Sequence, residues 1–290
     1  DPQFALAYIG LADSYALLNL YDINPPPDAY EKAKEYVQQS LAIDESIAEA
    51  HATLAYVKFY GERNRETAEL EFRRAIQLNP SSAQAHHWFA IVLAAMNDRV
   101  EAISEAQIAA QLDPRSPAVR AALAMTYSFN RQYAEAIAEC DAANQMDKTF
   151  MPAIKVRRWT YVAIKDFEAA RYAFEEELSY GNGSVEEPGW RLIQLQLTEP
   201  SEDRSEKLKL LEDALRSDQV QQNHTAFAFE AALAYNALGE TARALDWLEK
   251  SEAAHSHSFN FLEVEPRIQN LKEEPRFKKL LEKLRTPKIV

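Results

Sequence analysis

A spacing of 34 residues recurs along the chain and constrains its fold more than any single motif does. Asn79-Pro80, Asp113-Pro114 and Asp147-Lys148 each stand 34 residues from the next. Ala68, Ala102, Ala136 and Ala170 keep that interval, and so do Ala75, Ala109 and Ala143. Phe72 and Phe174 share another offset, with Ala106 and Cys140 at the equivalent positions between them, and Tyr127 and Tyr161 share a further one. A fixed period of this length marks a stack of supersecondary units.

Proline cannot continue a helix, and the residue before it is pushed into extended geometry. Each period is therefore predicted to hold two antiparallel helices, the second closed at its Asn-Pro or Asp-Pro end. The alanines belong where the two helices cross, because a small side chain lets the backbones approach; Tyr and Phe fill the wider gaps between units. One such pair cannot bury its apolar face alone, so neighbours must stack. Composition agrees: only 6 residues are Gly, apolar residues make up 47%, and Ala, Leu, Glu and Gln lose little freedom in a helix.

The pattern is fullest in Ser116 followed by Pro117-Ala118-Val119-Arg120-Ala121-Ala122-Leu123-Ala124-Met125-Thr126-Tyr127, then Tyr133-Ala134-Glu135-Ala136-Ile137. This unit resembles the tetratricopeptide repeat (TPR). It keeps Leu123-Ala124, Tyr127, Ala136 and Ala143, but has Cys140 for the aromatic and Lys148 for the proline. The resemblance implies an all-α fold, a right-handed superhelical solenoid of antiparallel helix pairs. Residues 1–178 are predicted to hold about five well-matched units. Residues 179–254 hold a degenerate unit and a clearer one, with Ala231-Ala232, Tyr235, Gly239, Ala244 and Leu248. Residues 255–290 form a capping segment, in which Leu280, Leu281 and Leu284 make an amphipathic final helix. The whole is expected to be one continuous solenoid, bent near 180–188, where Gly181, Gly183, Pro188 and Gly189 cluster.

Within the first unit, Asn19 to Asp28 reads as an inserted loop stiffened by Pro25, Pro26 and Pro27, with Asp28 or a neighbour capping the next helix. The ending, with Pro266-Arg267 and Pro275-Arg276, resembles the carboxy-terminal repeat regions of bacterial multidomain regulators. In those proteins the repeats follow a winged-helix, nucleotide cyclase or protein-kinase domain. The opening, Asp1-Pro2-Gln3-Phe4-Ala5-Leu6-Ala7-Tyr8, is similar to the same group and has no initiator Met, so the chain is expected to be part of a longer protein.

The TPR resemblance also implies that the first helix of each unit lines a concave groove. Its register places Tyr56, Phe59, Tyr60, His87, Ile91, Met125, Phe129, Lys155 and Trp159 there as partner-binding residues. Aromatic side chains at such positions supply large contact area at small entropic cost. A clamp for acidic peptide tails is not expected, because Ile9, Asp13 and mostly apolar residues occupy the corresponding places. The expected partner is a protein or peptide. Self-association that brings output domains together as a homodimer, and ligand sensing, are the alternatives.

Other functions find little footing. A net charge of −13 disfavours nucleic acid, and no run of 18 apolar residues is present to insert in a membrane. Cys140 sits at a core offset, where it reads as a small hydrophobe. His86 and His87 are adjacent on a helix and point apart; His255 and His257 flank Ser256 without further ligands at metal-binding spacing. No catalytic or metal-ligating set is read from the chain, and no cofactor. Arg157 and Arg158 replace the usual Leu-small pair, either pairing with acidic neighbours or making a local anion site. The compartment is open, with the cytoplasm favoured over the periplasm.

Overall fold

The computed structural model describes residues 4–21, 26, 28–181, 183, 187–197, 203–217 and 224–286. Every regular element among them is a helix. Five successive helix hairpins are formed by α1 (Ala5–Tyr21) with α2 (Ala29–Ile43), α3 (Ala48–Tyr60) with α4 (Arg65–Leu78), α5 (Ala83–Ala95) with α6 (Arg99–Leu112), α7 (Pro117–Phe129) with α8 (Tyr133–Met146), and α9 (Met151–Ala163) with α10 (Phe167–Tyr180). The short α11 (Pro188–Gln194) packs on α12 (Arg204–Arg216), and α13 (His224–Ala237) on α14 (Thr241–Ala253). Two 3₁₀ helices, His257–Phe261 and Pro266–Leu271, lead to α15 (Pro275–Arg285).

Local chemistry sets these boundaries. The side chains of Asn64, Ser82, Asp98, Ser116 and Asp166 accept hydrogen bonds from backbone N–H groups three residues on, satisfying donors the first turn leaves free. Asn79, Asp113 and Asp147 end α4, α6 and α8, as the proline-marked spacing predicts. Ala68, Ala102, Ala136, Ala170, Ala75, Ala109 and Ala143 are completely buried where paired helices cross. Cys140 is completely buried as well, and burial pushes its thiol up to about 12.

The turn inside each hairpin repeats too. Arg63, Asn97, Arg131 and Lys165, again 34 residues apart, have φ values of 52°, 66°, 63° and 63°. Gly239 plays the same part at 75°. After the left-handed residue the chain turns back on itself. Asp98, Gln132, Asp166 and Glu240 each donate a backbone hydrogen bond of 2.9 Å to the carbonyl five residues earlier. This closes the helix in a Schellman-type end.

Two expectations for the first unit are corrected. α1 continues through Asn19, Leu20 and Tyr21, so the inserted loop is shorter than its composition suggested; most of what remains of it lies outside the described residues. Asp28 stands at the N-cap of α2, but its carboxylate accepts from Lys32 at 2.9 Å and makes no cap hydrogen bond. The bend expected near 180–188 falls partly outside the described residues. Across that stretch, Phe174 of α10 meets Trp190 of α11, 6.2 Å between ring centres, in a cluster with Ala170, Ile193 and Leu197. Gly183 lies so close to the Trp190 indole that no Cβ would fit there. At the far end Phe277, Leu280 and Leu284 of α15 are buried against α13 and α14.

Candidate binding groove and the segment that fills it

After α14 the chain turns through Ala254, His255 (φ 55°) and Ser256, and its 3₁₀ segment comes to lie against the N-terminal units. The segment is a wedge with two faces. Phe259, Leu262, Ile268 and Leu271 are buried in the C-terminal core with Phe229, Leu238, Leu248 and Phe277. His257, Phe261 and Val264 meet the first helices of the N-terminal repeats and their turns.

The contacts run across several units. The His257 ring stacks on Tyr60, 4.1 Å between centroids and 11° between planes, and its Nδ1 is 3.5 Å from the Tyr30 hydroxyl. Phe261 stacks on Phe129 at 5.4 Å and tilts against Tyr60 at 6.3 Å. Val264 closes a small cavity among Ala94, Asn97, Thr126, Phe129 and Asn130. Arg267 lies over the Trp159 ring, 5.1 Å from its centre.

Charges flank the apolar contacts. Arg63 pairs with Glu252 at 3.2 Å and Arg65 with Glu263 at 3.6 Å. Burial lowers the pKa of both guanidiniums. Glu252 also pairs with Lys283 at 3.1 Å, and Glu263 with Arg285 at 2.6 Å. Arg267 donates to Glu265 at 2.6 Å and to Gln196 at 3.0 Å. Burial opposes its charge, but Glu265, with Glu230 and Glu177 nearby, holds its pKa above the ordinary value. Burial alone pushes His257 down to about 4.

The nine groove residues named from the sequence meet three fates. Phe59 shares the offset of Leu93, Tyr127 and Tyr161 and is 1% exposed within the helix-pair core, so it cannot touch a partner. Tyr56 packs on Trp88 and Tyr60 with centroids 5.0 Å and 4.4 Å away, and is also buried. Tyr60, Met125, Phe129 and Trp159 lie under the wedge or in the cluster around it. His87, Ile91 and Lys155 keep partial exposure, one to two turns nearer the start of their helices than the covered residues. Desolvation brings His87 down to about 4.

The register missed a polar line beside them. Thr53 donates to Asp13, and Gln84 Nε2 donates to the second oxygen of Asp13 at 3.2 Å, linking the first helices of three units. Burial raises the Asp13 pKa. Thr53 shares its offset with His87, Ala121 and Lys155, so extending the register by one unit would have found it.

Arg157 and Arg158 resolve as ion pairs and not as an anion site. Arg157 bonds Asp141 at 3.0 Å and also Glu176, while Arg158 Nε donates to Glu177 at 2.7 Å deep in the core. His86 and His87 do point apart: His86 faces Glu105 and the Pro80 carbonyl. An open cavity of about 560 Å³ lies beside Arg157, Tyr161, Tyr172 and Tyr180, but its one cation is already held by Asp141 and Glu176. Among the described residues no group of three or more side chains could hold a metal ion, and no helix is long and apolar enough to cross a membrane.

No protein-family model matches the chain, and no curated protein matches it by sequence. Solved structures do resemble it. PilF of Pseudomonas aeruginosa is 21% identical with a TM-score of 0.50, over 76% of this chain and 98% of PilF. PilW, described as a widely conserved type IV pilus biogenesis factor, is 15% identical with a TM-score of 0.52, over 93% of this chain and 98% of PilW. YrrB, described as a TPR protein with an unusual peptide-binding site, is 19% identical with a TM-score of 0.42, over 62% of this chain and 88% of YrrB. With the helix hairpins and their 34-residue register, the likeness to PilF and PilW is one of fold: the chain is an all-α, right-handed TPR solenoid. In this chain the last elements contact the first units.

Proposed function

We propose that this chain is a protein-interaction scaffold that holds a peptide or helix of a partner on the concave side of its repeats. One observation supports the reading. That surface already accommodates a peptide-like segment, residues 257–267, through stacked rings, a small socket of mixed polar and apolar lining around Val264, and flanking ion pairs. Repeat solenoids offer a continuous inner face, and aromatic anchors set among charged residues suit peptide capture. The chain does no chemistry of its own in this reading. As the resemblance of its ending implies, it serves an output domain of a larger bacterial regulator.

Placing a photo-crosslinking residue at Ile91 or Lys155, and separately at Val100, tests it. Val100 lies on α6 and is 84% exposed. Partner adducts from the two groove positions and none from Val100 are the expected result. Adducts of equal yield from Val100 would overturn the groove assignment. Adducts only between copies of the chain would move the function to self-association.

A further inference from the structure

We infer that the cleft between Tyr60 and Phe129, with Arg63 and Arg65 beside it, recognises an aromatic side chain closely followed by a carboxylate and an aliphatic residue, and that the wedge is its resident occupant, exchanged for a partner segment of the same chemistry. This rests on the scaffold reading and names the partner's recognition pattern. In the wedge the pattern is Phe261, Glu263 and Val264.

Three observations carry the inference. The first is the division of the wedge into faces. Phe259, Leu262, Ile268 and Leu271 keep the segment attached to the C-terminal core whether or not it touches the repeats. Toward the repeats the segment presents His257, Phe261, Glu263, Val264 and Arg267, an epitope of peptide size, with the Arg63 guanidinium also lying over the Phe259 ring at 5.0 Å.

The second is an asymmetry of charge. Glu252 and Glu263 each have a cation on their own side, Lys283 and Arg285, at 3.1 Å and 2.6 Å. Separating the wedge from the repeats leaves those two carboxylates paired. Arg63 and Arg65, whose side chains are 4% and 15% exposed, lose their ion-pair partners. A partly buried guanidinium without a carboxylate is costly, so the opened repeats select an acidic ligand. Arg65 Nη2 already lacks a hydrogen-bond partner among the described residues, a spare donor in the site.

The third is that opening uncovers Tyr60 and Phe129, now 5% and 7% exposed, on adjoining parts of the same face. Aromatic rings flanked by arginine are the side chains that dominate binding energy at peptide sites. The cleft in its open form therefore pairs an apolar slot with two cations at one edge, which fits a Phe-x-Glu-Val sequence and rejects a basic one.

The test uses a fluorescein-labelled peptide with the sequence of residues 256–268 and the full chain, read by anisotropy. A Phe261→Ser/Val264→Ser chain, weakened only on the presenting face of the wedge, should bind the peptide at least about tenfold more tightly than wild type, since its own occupant competes less. A peptide carrying Phe261→Ser and Glu263→Gln should lose at least about tenfold, and one carrying Leu262→Ser, on the opposite face, less than about twofold. A variant chain that keeps its helical circular dichroism but binds no peptide overturns the proposal, as does binding indifferent to the Phe261 and Glu263 changes. A dimer of the variant chain that excess peptide cannot dissociate makes the occupant a second copy, and also overturns it. Should the variant fail to fold, hydrogen exchange on wild type decides. Amides of Leu262, Val264 and Glu265, hydrogen-bonded within the wedge, should exchange through an opening that costs less than global unfolding. Exchange only on global unfolding would make the wedge permanent core. If the peptide fails while Ile91 still crosslinks a partner, the scaffold reading stands and the resident-occupant inference alone falls.

Discussion

The imidazole of His257 lies flat on the phenol ring of Tyr60, 4.1 Å away, and so ties the last elements of the solenoid to its second repeat unit. Its Nδ1 reaches Tyr30, 227 residues earlier in the chain. Phe261 and Val264 extend the contact to the third and fourth units. A stack of repeats is quasi-one-dimensional, each unit touching only its neighbours. This long-range contact breaks that rule, and it does so where the sequence register places the groove.

The contact should weaken in mild acid. Tyr30, Tyr60 and Phe261 surround His257 without a carboxylate, and burial holds its pKa at about 4 against 6.5 when free. The free imidazole binds a proton that the packed one refuses, so stability is full above pH 6.5 and lost as pH falls toward 4. Allowing for the partial exposure of His257, the loss is on the order of 2 kcal/mol at the acid end. Hydrogen exchange of Leu262 and Val264, corrected for intrinsic rates, should show opening that grows across this window. A His257→Phe chain, which keeps the ring and removes the proton site, should not show it.

Much of the fold was legible because a repeat states the same constraint several times. Ala68, Ala102 and Ala136 must each be small for the same crossing, so their shared interval is visible without any structure. The same register misassigned Phe59, which sits at the offset of Tyr127, a core position, although its aromatic character suggested a groove. The turn residues Asn97, Arg131 and Lys165 also kept the interval, but their side chains share no chemistry and only their backbone is alike. The wedge was illegible for another reason. Phe259 and Phe261 differ in burial partner, not in type, and which half each faces depends on a contact far away in sequence.

Arg158 and Glu177 form an ion pair 2.7 Å long whose side chains are 2% and 0% exposed. Arg158 Nη1 and Glu177 Oε1 have no hydrogen-bond partner among the described residues, so the pair is incompletely satisfied. Removing one member leaves a bare buried charge, and Arg158→Met alone should cost about 3–5 kcal/mol. The double change Arg158→Met/Glu177→Leu should recover most of that, since two apolar side chains avoid the desolvation of both charges. Urea unfolding of the single and double variants measures the difference; a double variant as unstable as the single would show that the pair is a net stabiliser.

Backbone strain at the hairpin turns gives a prediction of opposite sign at two equivalent places. Lys165 occupies the left-handed region at φ 63°, where its Cβ crowds the following carbonyl. Lys165→Gly should raise stability by about 0.5–1 kcal/mol. Gly239 holds the same conformation at 75°, and a Cβ there would meet nothing within 4 Å. Gly239→Ala should therefore lose about 1 kcal/mol through the backbone alone. Thermal midpoints moving in these opposite directions would check both.

His86 should show a pH dependence opposite to that of His257. Its Nδ1 faces the Glu105 carboxylate and its Nε2 faces the Pro80 carbonyl at 3.0 Å, so both nitrogens act as donors and the ring is held as imidazolium. The Glu105 hydrogen bond is the main cause that raises its pKa above 6.5; burial works against it. A raised folded pKa contributes stability that is full below pH 6.5 and disappears as pH climbs through the folded value. Glu105→Gln keeps the shape and removes the charge. It should cost about 1–2 kcal/mol at pH 6 and less at pH 9, because the wild-type ion pair weakens as the imidazole gives up its proton with rising pH. Urea midpoints of wild type and variant at the two pH values test this, and an equal loss at both would mean that the contact works as packing and not as an ion pair.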